Sequence, residues 1–427
     1  MSTLETLPYK GVRDFYPRDM AIQNYIFSTW KNVVSSFGYE EYSASVLEPA
    51  ELYRAKSGEE IVNEQTYTFT DRGDREVTLR PEMTPTVARM VAHERRNLPT
   101  PIRWFSIPNL FRYEKPQRGR LREHWQLNVD IFGVSSIQAE VEVIACASQI
   151  MTTFGLKPTD YEIRLNNRKL MTYIMKSVLK LSDAQEHALS KLIDKKAKIS
   201  AEDFEKAAID IMGEHNLTFF ALINSNNFEE FTNHLAPSTE RDLALNEIRQ
   251  VISGLDSLGI TNVVFSQTLM RGFDYYTGIV FEIFDKNPDN RRSLFGGGRY
   301  DNLVGMFGGD SISAVGFGMG DVTMRDVLET YNLLPPITTG PALTLCVLAE
   351  NIFGYAHDIA QNFRSQGVRV AIDYSLKKIG DQFKSAERHG STYVIVLGET
   401  EMNSGSFDIK NLETGETRTI SKDYQLK

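Results

Sequence analysis

The sequence predicts an α+β domain built on a mostly antiparallel sheet with flanking helices and a helical insertion, followed by a C-terminal α/β domain. Three observations lead to this fold class. Apolar and polar residues alternate in short runs before residue 167 and again after residue 262, as in half-buried strands. Between about residues 170 and 257, helix-start signals replace this alternation. Near the C-terminus, apolar runs alternate with helical segments, which is the order of a mainly parallel sheet.

The first predicted elements are a long helix and an antiparallel hairpin. Apolar residues recur at helical spacing over about residues 21–37, and Gly38 follows them as a C-terminal glycine should. Apolar residues then alternate on either side of a turn at residues 71–74, which predicts the hairpin. Further extended runs cover residues 103–113, 123–132, 161–166, 263–268 and 279–285. These runs predict the mostly antiparallel sheet.

A helical insertion interrupts this first domain. The patterns Ser182-x-x-Gln185 and Ser200-x-x-Asp203 are helix-start signatures, each followed by apolar residues at helical spacing. Strands resume at Asn262, so the sheet before and after the insertion is expected to belong to one domain. A linker with the sequence LPPITTG precedes the last domain. The expected domains are residues 1–169 with 258–333, the insertion 170–257, and the C-terminal domain 341–427.

Composition excludes several classes of protein. With 427 residues, 41% of them hydrophobic, the chain can build more than one globular core. The net charge of -9 requires any contact with nucleic acid to be local. Only two cysteines and seven widely spaced histidines are present, so no disulfide framework and no tightly bound transition metal are expected. Without a leader or a long apolar run, a cytoplasmic location and no membrane contact are expected.

The most informative stretch is FRYEKPQRGRLREHWQLNVDIFG, residues 111–133. Two extended segments flank a loop rich in arginine. Guanidinium groups can hold a triphosphate through bidentate, charge-assisted hydrogen bonds, so the loop is a candidate anion site. The alternative is a hairpin with a solvated basic turn. The polar residues of this stretch that could contact a ligand are Arg112, Glu114, Arg118, Arg120, Arg122, Gln126 and Asp130.

Three further segments have unusual sequences that periodicity alone does not explain. In LMRGFDYYTGIVFEI, residues 269–283, Tyr275 and Tyr276 could equally be core or rim aromatics. In LFGGGRYDNLV, residues 294–304, a triple glycine by itself is usually a mobile turn. In RPEMT, residues 80–84, an isolated glutamate carries no functional information. Each segment therefore needs independent support before a function is assigned.

Taken together, these segments resemble the histidyl-tRNA synthetases, a family of class II aminoacyl-tRNA synthetases. Residues 111–133 resemble the second motif of that class, RGFDYY resembles the family segment RGLDYY, and GGGRYD matches the family sequence. GVRDFYP near the start and the C-terminal domain also resemble the family, the latter its anticodon-binding domain. The resemblance implies a ligase that activates L-histidine with ATP and Mg²⁺, transfers it to tRNA(His), and forms a homodimer.

The resemblance also implies roles for individual residues. Arg112 and Arg271 would lie on opposite sides of the ATP α-phosphate and stabilise the charge that develops there. The implied histidine-binding residues are Glu82, Met83, Thr84, Arg112, Gln126, Asp130, Arg271, Tyr275, Tyr276 and Tyr300. The implied ATP-binding residues are Arg112, Glu114, Arg118, Arg120, His124, Gly316 and Gly318, with His124 in the place of the aromatic that stacks on adenine.

The sequence departs from the family pattern in two places. Thr323 stands where the third motif of the class has an arginine that binds the γ-phosphate. Arg325 is a poor substitute, since two residues along a helix correspond to a rotation of about 200°. Asp321 is expected to cap that helix. Ser45 replaces a first-motif proline beside the dimer interface.

Two rival functions remain open at this stage. Thr323 is compatible with a noncatalytic histidine-binding regulator similar to synthetases, although such regulators normally lack the C-terminal domain. A ligase for another amino acid is the second possibility.

Overall fold

A computed structural model describes residues 4–54, 65–196, 199–213, 216–270, 275–288, 290 and 293–426. The chain divides into two compact units, Met1–Asp14 with Gln23–Leu334 and Phe15–Ile22 with Pro335–Lys427. Within the described ranges, no helix is both long enough and apolar enough to span a membrane.

Seventeen strands and fourteen α-helices are found in the described part of the chain. Up to the insertion, they are α1 (Pro17–Ser36), β1 (Glu40–Glu41), β2 (Leu47–Pro49), α2 (Glu51–Arg54), β3 (Tyr67–Thr70), β4 (Glu76–Leu79), α3 (Thr84–Glu94), β5 (Ile102–Ser106), β6 (Asn109–Phe111), β7 (Glu123–Phe132), α4 (Gln138–Thr153) and β8 (Tyr161–Asn167). The observed bounds of α1 and β7 agree closely with the predicted segments.

Only helices are described between Arg168 and Ser257, as the loss of the strand pattern predicts. They are α5 (Arg168–Tyr173), a π-helical turn (Ile174–Val178), α6 (Asp183–Lys195), α7 (Ala201–Met212), α8 (Asn216–Ile223), α9 (Phe228–Asn233) and α10 (Thr239–Ser257). Ser182 forms a reciprocal capping box with Gln185 at the start of α6, and the Ser200 hydroxyl accepts from the Asp203 amide at the start of α7. Both predicted helix starts are confirmed.

The sheet resumes with β9 (Val263–Phe265), β10 (Ile279–Asp285), β11 (Ser293–Arg299) and β12 (Ala314–Gly320), which leads into α11 (Asp321–Thr330). The strand order is β1-β5-β7-β12-β11-β10-β8-β9, with β6 also paired to β7, and nine described strands take part. Only the two outer pairs, β1 with β5 and β8 with β9, are parallel. The predicted mostly antiparallel sheet is confirmed, and β2, β4 and β3 form a separate small sheet.

The second unit has a five-stranded sheet of its own. Its elements are β13 (Leu343–Val347), α12 (Phe353–Ser365), β14 (Val370–Asp373), α13 (Ile379–Arg388), β15 (Tyr393–Leu397), α14 (Glu399–Ser404), β16 (Ser406–Asn411) and β17 (Thr417–Ser421), with a short 3-10 helix at Glu350–Ile352. β13 pairs in parallel with β14 and β15, and the hairpin β16–β17 adds on antiparallel to β15. The predicted C-terminal α/β domain with a terminal hairpin is confirmed.

A buried ion pair fastens β11 to α4 in the first unit. Nε and Nη2 of Arg299 each lie 2.5 Å from a carboxylate oxygen of Glu140, and both side chains are almost completely buried. Arg299 also donates to the carbonyl oxygens of Val134 and Ser136. Because the arginine of the GGGRYD segment is satisfied in this way, its role is to hold the sheet against the helix.

Substitution of Glu140 by alanine should lower the free energy of unfolding by about 3–5 kcal/mol, because it removes the closer counter-charge of a buried guanidinium and leaves only Asp301, at 3.4 Å. Urea unfolding followed by tryptophan fluorescence measures this, since Trp30, Trp104 and Trp125 all lie in the first unit. Glu142→Ala, on the same helix as Glu140, is the control. It breaks a partly exposed pair with Arg103 of β5 and a hydrogen bond from the Tyr39 hydroxyl, and it should cost about 1–2 kcal/mol. Equal losses in the two variants would contradict this role of Glu140.

Candidate active site

The centre of the site is the pairing of β7 with β12. Asp130 lies opposite Gly316, Asn128 opposite Gly318, and Gln126 opposite Gly320. Residues two apart on a strand point to the same face, so the three polar side chains of β7 share one face of the sheet. The amide of Gln126 donates to Asn128 Oδ1 at 3.3 Å.

The glycines of β12 leave the space that these polar side chains occupy. A Cβ atom on Gly316 would lie 2.0 Å from Asp130 Oδ1, and one on Gly318 would lie 1.7 Å from Gln126 Nε2. Both distances are far below van der Waals contact, so a larger residue would displace Gln126 or Asp130. The sequence-based prediction assigns Gly316 and Gly318 to ATP, whereas their contacts place them beneath the side chains predicted to bind histidine.

The triple glycine of β11 makes room in the same way. A Cβ on Gly298 would lie 2.9 Å from a ring carbon of Tyr276, and one on Gly297 would lie 1.9 Å from the Gly316 carbonyl oxygen. β11 is therefore a buried strand, and the alternative of a mobile turn is wrong. Strand assignment from residue type misses it because glycine has low β propensity.

Two buried carboxylates lie against the predicted tyrosines. Tyr300 donates its hydroxyl to Asp130 Oδ1 at 2.5 Å, and Tyr275 donates to Glu82 Oε2 at 3.2 Å. The rings of Tyr275 and Tyr300 meet edge-on with centroids 5.8 Å apart, and Tyr276 lies 4.8 Å from Tyr275. Residues predicted from four separate segments of the sequence are thus brought together.

Burial controls the charge of Asp130. The side chain is 4% exposed, and its burial raises the pKa of the carboxyl to about 7, although the hydrogen bond from Tyr300 acts in the opposite direction. The carboxyl is consequently poised to change charge near neutral pH. An imidazole ring also changes its charge near neutral pH, so it is a suitable hydrogen-bonding partner for this carboxyl.

The RPEMT segment forms the start of α3 beside these groups. Met83 is the N-cap residue and Thr84 the first residue of the helix, and Glu82 and Met83 are both buried. Nε of Arg112 donates to the Pro81 carbonyl oxygen at 2.8 Å, which connects the arginine-rich loop to this segment.

The arginine-rich loop connects β6 to β7. Arg120 Nη1 lies 3.3 Å from Glu114 Oε2, and Arg118 Nε lies 2.9 Å from Asp326 Oδ1 on α11. Burial lowers the pKa of His124 to about 3, and the positive charges of Arg112 and Arg13 act in the same direction. His124 is therefore neutral at physiological pH and can stack on a base without adding charge.

The N-terminal segment also contributes to the site, which sequence reasoning missed. Arg13 Nη2 donates to Asp321 Oδ2 at 2.7 Å, Gln23 Nε2 donates to the same oxygen at 2.9 Å, and the Trp125 amide donates to Oδ1 at 2.9 Å. The expectation that Asp321 caps α11 is wrong, since Gly320 is the N-cap residue and the carboxylate is used in these tertiary contacts. The resemblance of the GVRDFYP segment to the family was the one sequence signal that this segment is functional, but it does not indicate that Arg13 pairs with Asp321.

Not every predicted site residue can be placed. Arg271 lies outside the described residues, so its predicted position opposite Arg112 stays a prediction. Thr323 is described, and its hydroxyl donates to the backbone, 3.0 Å from the Gly320 oxygen and 3.2 Å from the Leu294 oxygen.

Comparison with known proteins gives the same family as the motifs. The family described as histidyl-tRNA synthetase matches residues 11–321, and an anticodon-binding domain matches residues 336–425. The chain belongs to the histidyl-tRNA synthetase family. The two matches follow one another along the chain, in the order expected from the sequence.

Relatives match this chain over almost its whole length. A histidine–tRNA ligase of Leptospira biflexa is 42% identical over 426 residues, which are 98% of this chain and 96% of the relative. A histidine–tRNA ligase of Thermoplasma volcanium is 37% identical, with 96% and 95% of the two chains covered. The solved structure of histidyl-tRNA synthetase from Nostoc sp. PCC 7120 superposes with a TM-score of 0.82 at 21% identity, covering 99% of this chain and 98% of that one, which supports the fold.

The glycine contacts generate a prediction. Gly318→Ala should displace the Gln126 amide and weaken histidine binding by about tenfold, since overpacking a fitted site costs about 1–3 kcal/mol. Isothermal titration calorimetry with histidine measures the change. Gly320→Ala on the same strand is the control, because its added Cβ would lie 3.5 Å from Thr323 Oγ1, an ordinary contact. Unchanged binding by Gly318→Ala would argue against this function of the glycine.

Proposed function

We propose that this chain is a histidine–tRNA ligase, which activates L-histidine with ATP and transfers the histidyl group to tRNA(His). The observation that carries the proposal is a buried cluster in which Tyr300 donates to Asp130, Tyr275 donates to Glu82 and the two tyrosine rings meet edge-on. Arg112 is bonded to the carbonyl oxygen of Pro81, the residue before Glu82. Full-length relatives named as histidine–tRNA ligases support it. The noncatalytic regulator is less well supported, because residues 336–425 match an anticodon-binding domain.

In the proposed pocket, the buried polar groups read the substrate histidine. Asp130 and Tyr300 would bind the imidazole ring, while Glu82 and Thr84 would bind the ammonium group. Such a site discriminates strongly, because a side chain without the matching donors leaves buried polar groups unpaired. The remaining proposed contacts with histidine come from Met83, Arg112, Gln126, Arg271, Tyr275 and Tyr276.

In the proposed reaction, a carboxylate oxygen of histidine attacks the α-phosphorus of ATP. The bond from that phosphorus to the bridging oxygen breaks, and pyrophosphate leaves with the bonding electrons. Arg112 and Arg271 would stabilise the added negative charge from opposite sides, so no protein nucleophile is required. A terminal ribose hydroxyl of the tRNA then attacks the carbonyl carbon of histidyl-adenylate and loses its proton to the phosphate or to solvent. The bond from that carbon to the phosphate oxygen breaks, and AMP leaves with the bonding electrons.

The proposed ATP site lies on the arginine-rich loop and β7. Glu114 would contact the adenine, His124 would stack on it, and Arg120 would reach the outer phosphates. The neutral state of His124 suits stacking on a base. Gly316 and Gly318 remain predicted ATP contacts, although their neighbours favour the amino-acid pocket.

Mg²⁺ is proposed to accompany ATP and neutralise charge on its phosphates. Among the described residues, no three or more His, Cys, Asp or Glu side chains are grouped so as to hold a metal ion. We therefore propose that the ion is held mainly by the phosphates of the nucleotide.

We also propose that the protein forms a homodimer and is cytoplasmic. The proposed domains are residues 1–169 with 258–333, residues 170–257 and residues 341–427.

Pyrophosphate exchange tests the proposed activity. The wild-type protein should exchange label between pyrophosphate and ATP only when histidine, out of the twenty amino acids, is supplied. Absence of exchange with any amino acid would favour the regulator, and exchange with a different one would reassign the substrate.

Substitution of Arg271 by histidine should reduce histidine-dependent exchange by about 100-fold or more, which is typical for removal of a group that stabilises transition-state charge. Circular dichroism checks that the fold is intact. Arg418→His is the control, since Arg418 is an exposed residue of β17 paired with Glu416. Full activity of Arg271→His would refute the proposed role.

The raised pKa of Asp130 predicts a pH-dependent stability. The folded carboxyl binds its proton more tightly than the unfolded one, whose ordinary value is 3.8. The stability of the folded state therefore falls as pH rises from about 4 to about 7. Asp130→Asn removes this penalty, so its free energy of unfolding should exceed that of the wild type by on the order of a few kcal/mol at pH 8 and match it below pH 4.

Urea unfolding at several pH values measures this effect, and exchange at pH 8 should be lost in the same variant. Tyr300→Phe should shift stability in the opposite direction at pH 8, because loss of the donor raises the pKa of Asp130 further. A difference between Asp130→Asn and wild type that does not change with pH would contradict the assignment.

A further inference from the structure

Helix α11 packs against the arginine-rich loop of the proposed ATP site, and its first turn carries no arginine. Thr323 is short, and its hydroxyl is bonded back to Gly320 and Leu294. Arg325 pairs with Glu329 one turn further along the same helix, at an Nε–Oε1 distance of 2.8 Å. Any guanidinium beside Thr323 must therefore come from another element.

The arginine-rich loop reaches this position through a tight turn at its tip. Gln117 and Arg120 exchange two backbone hydrogen bonds of 3.0 and 2.9 Å, which places Arg118 and Gly119 at the tip. Gly119 has a φ of +76°, which side chains with a Cβ rarely adopt. The glycine at position 119 is therefore what allows this turn.

The tip packs on one face of α11. Positions 323, 326 and 330 follow the i, i+3, i+7 spacing of one helix face. A Cβ built on Gly119 would lie 3.5 Å from Thr323 Cγ2, so the turn is in van der Waals reach of Thr323. Arg118 Nε lies 2.9 and 3.1 Å from the two carboxylate oxygens of Asp326, and Nη2 lies 3.5 Å from Thr330 Oγ1.

We propose that Arg118 supplies to the outer phosphates of ATP the positive charge that α11 itself lacks, and that Asp326 is the residue that positions it. This inference rests on the proposed function of the chain. The geometry supports it because the tip lies within van der Waals reach of Thr323, while Arg118 is bonded to Asp326 on the same face of the helix. A small residue at 323 and an arginine at 118 are thus complementary parts of one arrangement.

A carboxylate at Nε is compatible with an anion at the other end of the same guanidinium. The group carries five N–H donors in a planar fork, so two anions can be bound along different edges. The Arg118 side chain is 57% exposed, whereas that of Asp326, on α11, is 25% exposed. The carboxylate therefore fixes the direction of a side chain that would otherwise have many rotamers.

Comparison of ATP with AMP isolates this contact, since AMP lacks the outer phosphates. Arg118→Ala should weaken ATP binding by about tenfold or more, the effect of losing a charge-assisted hydrogen bond, and change AMP binding less than about twofold. Calorimetry on the full-length protein measures both affinities. In exchange assays the KM for ATP should rise in parallel while the KM for histidine stays constant.

The positioning role of Asp326 has its own test. Asp326→Asn should weaken ATP binding, but by less than Arg118→Ala does. Asp326→Glu, which keeps the carboxylate, should bind ATP more tightly than Asp326→Asn. The double variant Asp326→Asn with Arg118→Ala should bind ATP as weakly as Arg118→Ala alone. Arg325→Ala, on the same helix, is the matched control and should bind ATP as the wild type does. Additive losses, or tighter ATP binding by Asp326→Asn, would overturn the positioning role.

A compensating substitution tests the complementarity. Thr323→Arg in the Arg118→Ala background should restore most of the preference for ATP over AMP, and failure to restore it would overturn the equivalence of the two positions. An unchanged ATP-to-AMP ratio in Arg118→Ala would overturn the inference as a whole. If histidine-dependent exchange is absent while this ratio still depends on Arg118, the proposed function fails and the phosphate contact stands.

Discussion

The site depends on one constraint, which is that β11 and β12 carry no side chains where they face the polar residues of β7 and the ring of Tyr276. A Cβ at Gly316 or Gly318 would overlap Asp130 or Gln126, and one at Gly298 would overlap Tyr276. Close approach of the strands and a cluster of buried polar side chains are compatible only because these positions are glycine. The conformational entropy that glycine loses on folding is the cost of this arrangement.

Buried charges then fix the elements around that cluster. Asp321 accepts hydrogen bonds from Arg13, Gln23 and the Trp125 amide, which joins the N-terminal segment, β7 and α11. Arg299 and Glu140 join β11 to α4 in the same way. An unpaired buried charge is costly, so each pair strongly disfavours arrangements in which its two partners separate. The resulting rigidity suits a site whose proposed chemistry is electrostatic, because donors aimed at developing charge must not reorganise during the reaction.

Much of the fold was predictable because hydrophobic periodicity is a local signal. The helix α1, the strands β7 and β10 and the capped helices α6 and α7 were all found from spacing and turn residues. β11 and β12 were not, since glycine-rich strands that are buried for tertiary reasons resemble turns in composition. The role of the Asp321 carboxylate was also mispredicted. An aspartate at a helix start commonly caps the first turn of that helix, but this carboxylate accepts hydrogen bonds from residues that are distant in the sequence.

The sequence by itself determined the fold class, the family resemblance and the identity of the polar and aromatic residues of the site, because motifs and periodicity are properties of neighbouring residues. The tertiary structure decided which of these residues meet. It brought Tyr300 to Asp130 and Tyr275 to Glu82, placed Gly316 and Gly318 beneath side chains of β7, and set Arg118 on Asp326. Those pairings join residues that are distant in the chain, and only the packing of strands and helices against one another sets their distances.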